Sequence, residues 1–136
     1  MGGGGIMGIF TYLTAQKATV NTNTQVIITN AASHGQVNIS SDAPVGGIMG
    51  LFVQNLTVIG KERGSSLLIA NSYSTLRPKV SSEVFGGILG VIHTENEDEL
   101  DITKYPNLMI NCYSAADMKA MLGGSLIGTI EGPLYT

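Results

Sequence analysis

A five-residue phrase recurs along this chain. Gly4-Gly5-Ile6-Met7-Gly8 returns as Gly46-Gly47-Ile48-Met49-Gly50 and again as Gly86-Gly87-Ile88-Leu89-Gly90. A looser fourth form starts at Gly123 and Gly124. The first glycines are 42, 40 and 37 residues apart. A second marker keeps its own register: Asn30, Asn71 and Asn111 follow the second glycine of their units by 25, 24 and 24 residues. Two independent markers at one spacing define a repeat. One such unit cannot bury its apolar side alone, whereas stacked units make a continuous core.

Each unit reads as three strand-like pieces. The first runs from the glycine pair through Phe10, Phe52 or Ile92, and the second surrounds Val20, Val58 or Ile102. The third is the apolar run into the Asn: 26–28, 67–69 and 108–110. Short β-rich runs separated by Gly, Ser, Asn and Pro are strands with turns. No window of a dozen residues keeps a 3.6-residue apolar period. Residues 115–122 form the one helix-prone stretch. These features predict an all-β, repetitive β-solenoid resembling a β-helix, one repeat domain over 1–136. Its units are about 4–45, 46–85 and 86–122, with a partial fourth at 123–136. A β-prism is the competing stacked-strand arrangement. Corner glycines allow positive φ or close approach between layers, and an Asn at one turn per unit can form a hydrogen-bonded ladder.

Composition excludes more than it assigns. Seven Lys plus Arg against ten Asp plus Glu give a net charge of −3, with charged residues at only 12%. Nucleic-acid binding would call for a clustered basic face, so no nucleic-acid partner is expected. The longest apolar runs are too short and glycine-rich for a transmembrane helix. The start, Met1 to Gly5, lacks the basic and apolar segments of a signal peptide, so the chain either takes another route or is a mature or excised form. Cys112 is the single cysteine, which rules out an internal disulfide.

Gly-Gly-(Ile/Leu)-x-Gly followed by (Ile/Met)-x-Asn-(Ser/Cys)-Tyr-Ser resembles the GLUG repeat of bacterial surface proteins. The nearest matches are residues 86–90 and Asn111-Cys112-Tyr113-Ser114; the first unit has Ala31-Ala32-Ser33 after its Asn. The resemblance spans most of the chain, with units longer than the family's usual spacing. It implies a β-helical, extracellular or cell-surface module, as in adhesins and the non-catalytic parts of secreted proteases, and carries over no catalytic residue.

No enzyme is expected, nor any cofactor. His34 and His93 stand at non-equivalent positions in different units, and no His/Cys/carboxylate cluster has metal-ligand spacing. Cys112 falls where Ala31 and Ser72 stand in the other units, a slot for a small packed residue rather than a nucleophile. The acidic run 95–101 holds five of the ten acids. It lacks the glycine of a calcium loop and reads as a solvated turn. Lys61-Glu62-Arg63 and Arg77-Pro78-Lys79 hold four of the seven basic residues, and exposed pairs of that kind contribute little. Asn38 and Asn55 begin N-glycosylation sequons.

The expected function is therefore a non-catalytic structural or adhesive module outside the cell or on its surface. The chain opens on one glycine pair and stops shortly after the fourth without a polar cap. Open strand edges of that kind predict head-to-tail stacking with itself into filaments. The alternative is a module that binds a glycan or another surface protein, or a spacer, excised from a larger secreted protein or hydrolase.

Overall fold

The computed structural model describes residues 2–11, 17–38, 42–115 and 120–132. The first unit carries β1 (Gly3–Gly4), β2 (Met7–Phe10), β3 (Thr22–Thr29), β4 (Ala32–Ser33) and β5 (Gln36–Val37). The second carries β6 (Val45–Gly46), β7 (Met49–Ile59), β8 (Lys61–Ala70), β9 (Tyr73–Ser74) and β10 (Arg77–Pro78). The third has β11 (Ser82–Gly86), β12 (Leu89–Asn96), β13 (Leu108–Ile110) and β14 (Tyr113–Ser114), and the last has β15 (Ala120–Gly124) and β16 (Ile127–Glu131). A 3₁₀ turn at Ile102–Lys104 is the only helical element among the described residues. The fold is all-β.

Equivalent strands of successive units pair in parallel. One ladder orders β1-β6-β11-β15, a second joins β4, β9 and β14, and β5 pairs β10. β2, β7, β12 and β16 lie side by side, as do β3, β8 and β13. The register is fixed residue for residue: Met7 opposes Met49, Met49 opposes Leu89, and Leu89 opposes Ile127. These columns make the core. Ile48, Met49, Phe52, Ile69, Ile88 and Leu89 are fully buried within it, with Phe10 stacked on Phe52 at 5.4 Å. Strand alternation supplies the pattern, since every second residue of β3 and β8 turns inward. In β3, Val26 and Ile28 pack on the core while Ile27 points out.

The sheets are nevertheless mixed, which departs from the uniform parallel coil expected of a β-helix. β7 runs on through Val58 and folds back on β8 as an antiparallel hairpin, pairing Thr57 with Arg63 and Ile59 with Lys61. Gly60 turns the hairpin with φ +82°, a conformation in which glycine carries no Cβ penalty. The expected second strand exists only in this unit. Val20 lies in a bend before β3, and Ile102 lies in the 3₁₀ turn, whose first N–H groups are capped by Asp101. The helix-prone stretch at 115–122 lies partly outside the described residues, and its end, from Ala120, belongs to β15.

The fourth repeat marker is shifted by one residue from the sequence alignment. Gly86 pairs with Gly124, while Gly123 pairs with Phe85. The structural equivalents of Gly4-Gly5 are therefore Gly46-Gly47, Gly86-Gly87 and Gly124-Ser125. The second glycine is required by what lies against it. A Cβ on Gly47 would sit 2.1 Å from the Gly87 carbonyl oxygen and 2.2 Å from Ser74 Oγ; Gly5 meets Gly47 and Ser33, and Gly87 meets Ser125 and Ser114, in the same way. Each unit thus sets a serine of its Asn-x-x-Ser segment against its own glycine.

Gly47→Ala should lower stability by about 2 kcal/mol or more, because backbone and side chain both block the added methyl. Chemical denaturation measures this. A loss below 0.5 kcal/mol, the scale of an ordinary surface change, would contradict the corner packing.

Candidate functional site

The three marker asparagines lie at the corner where β3, β8 and β13 end. Asn30, Asn71 and Asn111 adopt φ of +54°, +49° and +52°, the left-handed conformation that Asn tolerates better than other side chains with a Cβ. Asn111 Nδ2 donates to Asn71 Oδ1 at 2.8 Å, joining the third rung to the second. Beside this corner Ser33 Oγ donates to the Gly47 carbonyl oxygen and lies 2.8 Å from Ser74 Oγ. Ser72 Oγ accepts from Ala31 N–H at 3.1 Å and donates to the Ala70 carbonyl at 2.8 Å. A Cβ on Gly4, Gly8, Gly46, Gly50, Gly86 or Gly90 would meet a backbone oxygen at 2.8 Å or less. The markers therefore hold backbone corners.

An aromatic row that motif reading did not pick out follows the asparagines. Tyr73 and Tyr113 stack with ring centres 5.0 Å apart and planes 3° apart, and His34 meets Tyr73 edge-on at 5.3 Å. His34 Nδ1 lies 2.6 Å from Thr75 Oγ1. The signal was present: Tyr73 and Tyr113 each stand two residues after the marker Asn, so parallel register had to superpose them.

The other candidates are scattered. His93 sits between Glu95 at 3.5 Å and Glu131 at 3.3 Å on an open surface. Cys112 is half-buried, with Sγ near the carbonyls of Ile69 and Ile110. In the acidic run, Asp98 accepts from Val58 N–H at 2.6 Å and Asn96 closes a turn with Leu100 through two bonds. Asp101 accepts from Thr103 N–H and Oγ1, which holds its carboxyl below the usual range. Among the described residues no group of three or more His, Cys, Asp or Glu is placed to hold a metal ion. The two basic segments differ in kind, since Arg63 is buried whereas Lys61 and Arg77 are exposed. Asn38 is exposed, with the rest of its sequon outside the described residues. Asn55 is 7% exposed inside β7, opposite Glu95, and its backbone N–H donates to Ser65 Oγ. That burial withdraws Asn55 as a glycan acceptor.

The most developed polar cluster is structural. Gln54, 3% exposed, donates to the carbonyls of Ser65 and Tyr105 at 2.8 Å each and accepts from Thr94 and Asn107 at 3.0 Å each. Every hydrogen-bonding position of its amide is filled, as burial demands. A cleft of about 450 Å³ opens above it, bounded by Ile102, Tyr105, Pro106 and Ile130. Tyr105 Oη donates to Glu62 Oε1 at 2.6 Å, and Glu62 also pairs with Lys104 at 3.6 Å. Burial, followed by this bond to Glu62, pushes the Tyr105 hydroxyl up to about 12. In these residues the cleft offers neither a nucleophile with a base nor paired carboxylates.

Comparison with protein-family models, curated proteins and solved structures finds no match to this chain.

Removing the Tyr105 hydroxyl should cost about 1–2 kcal/mol at neutral pH. Because its folded pKa is raised above the ordinary value of 10.0 to about 12, the contribution is full below pH 10 and lost as pH climbs toward 12. The stability difference between the parent protein and Tyr105→Phe should therefore shrink across that window in pH-resolved denaturation. A difference that stays constant would refute the Tyr105–Glu62 bond.

Proposed function

We propose that this chain is a non-catalytic β-solenoid module with a structural or adhesive role at a cell surface or outside the cell. The observation that carries the reading is the residue-for-residue parallel register between units, Gly4 on Gly46, Gly46 on Gly86 and Gly86 on Gly124. Here the columns hold Ile, Met, Leu, Phe and Ser, and the polar interior at Gln54 is spent on backbone carbonyls. The GLUG-like motif supports the surface setting.

Head-to-tail stacking of copies into a filament is part of this proposal. β2 and β3 end their ladders, and neither contains a charged residue. Edge strands that must stay single usually carry Lys, Pro or a bulge. β13 and β14 end theirs on the other side. The alternative, a glycan- or protein-binding module of a larger secreted protein, draws on the row of His34, Tyr73 and Tyr113, since planar rings and hydroxyls suit such ligands.

An antibody raised against the exposed acidic turn at 95–101 tests the location. Labelling of intact source cells, or recovery of the protein outside them, is the expected result. Labelling that requires permeabilised cells would overturn the surface assignment.

A further inference from the structure

Where β3, residues 64–70 of β8 and β13 lie side by side, the outer face of the sheet carries no ionised side chain; the charges of β8, Lys61, Glu62 and Arg63, stand at its hairpin end. Residues 18–33, 64–76 and 105–115, which hold this part of the sheet and the Asn corner beside it, contain no Asp, Glu, Lys or Arg. The 17 such residues of the chain all lie elsewhere. Register places Ile27, Leu68 and Leu108 in one column and Thr29, Ala70 and Ile110 in the next. Their neighbours Val26, Ile28, Leu67, Ile69 and Met109 turn into the core, so this face is the outward one. Ile27 is 56% exposed, Leu108 46% and Ile110 52%, and around the corner Tyr113 is 57% exposed on its stack with Tyr73.

The geometry points to this face as a docking surface for a second copy of the chain, packed sheet against sheet about a twofold axis. Three arguments select that occupant. An apolar, charge-depleted patch containing Tyr has the composition of an interface core. With no cation in those segments, the face lacks the Lys and Arg that bring an apolar surface to lipid headgroups, and with no ion of either sign it cannot recognise a charged partner. An apolar sheet face packs on another about 10 Å away, and this face, apolar at Ile27, Leu68, Leu108 and Ile110 and polar but uncharged at Asn23 and Gln25, can meet itself about a twofold. The exposed columns and the tyrosine offer roughly 500 Å² per copy, or about 1,000 Å² per pair, which sits at the threshold for a specific interface. Each further rung in register would enlarge it. This sideways pairing is independent of end-to-end stacking, which uses strand edges instead of a sheet face.

Sedimentation velocity of the full chain from about 5 to 500 μM, at 0.15 M and 1 M salt, is the test. The parent protein should pass from its 14.2 kDa monomer mass to twice that value, with no weakening at high salt. Ile27→Lys with Leu108→Lys places two charges on the face at exposed positions, and circular dichroism and melting confirm that the fold is kept. That variant should associate at least tenfold more weakly. Val58→Lys, equally exposed but on the β7–β8 hairpin, should associate like the parent. Three results would overturn the proposal. They are a parent monomeric throughout the range, a lysine pair without effect, and growth beyond the dimer that the lysine pair leaves unchanged. The last would assign association to the strand edges.

Discussion

The corner of each rung rests on close packing between a glycine and a serine. The second glycine of the pair leaves the space into which Ser33, Ser74 or Ser114 of the same unit projects. The hydroxyl of Ser33 then bonds the carbonyl of Gly47 in the next unit and meets the hydroxyl of Ser74 in that same unit. A contact within a unit thereby sets the height of the unit that follows. Once that height and register are fixed, the apolar columns align without further instruction, because strand alternation turns the same positions inward in every rung. The left-handed asparagines make the neighbouring turn, and the Asn71–Asn111 amide bond ties two of those turns together.

The sequence revealed those parts of the fold that repeat. Glycine pairs and asparagines at constant spacing announced stacked β units, and Leu67, Ile69 and Met109 follow from alternation into the Asn. What escaped prediction is what differs between units. The β7–β8 hairpin depends on a single positive-φ glycine at position 60 within a strand-like run. The third unit crosses the same span with a 3₁₀ turn capped by Asp101. The fourth glycine pair misled because Gly123 and Gly124 look like the marker while Ser125 occupies its second place. Burial also reclassified Asn55, since a sequon carries no information about which way a strand residue faces. The aromatic row and three of the four bonds of the Gln54 amide join residues 39–53 positions apart. Only the register of neighbouring units brings such residues together.

Polar groups buried in this protein bond its own backbone and hydroxyls. Ser65, Ser66, Ser72 and Ser74 are buried, and small hydroxyls of this kind satisfy backbone groups that a tight corner leaves over. Charges cluster at the hairpin and the acidic turn, and the part of the sheet made by β3, residues 64–70 of β8 and β13 is left neutral.

The central claim is that each unit is a nearest-neighbour rung. Inserting a second copy of residues 46–85 between Phe85 and Gly86 tests it most directly, with the enlarged protein unfolded in denaturant. Since Val45 opposes Phe85 and Gly46 opposes Gly86, the insert should enter the stack in register. The account predicts one cooperative transition with higher stability and a steeper denaturant dependence, in proportion to the added buried surface. A separate second transition, or a protein no more stable than the parent, would contradict it.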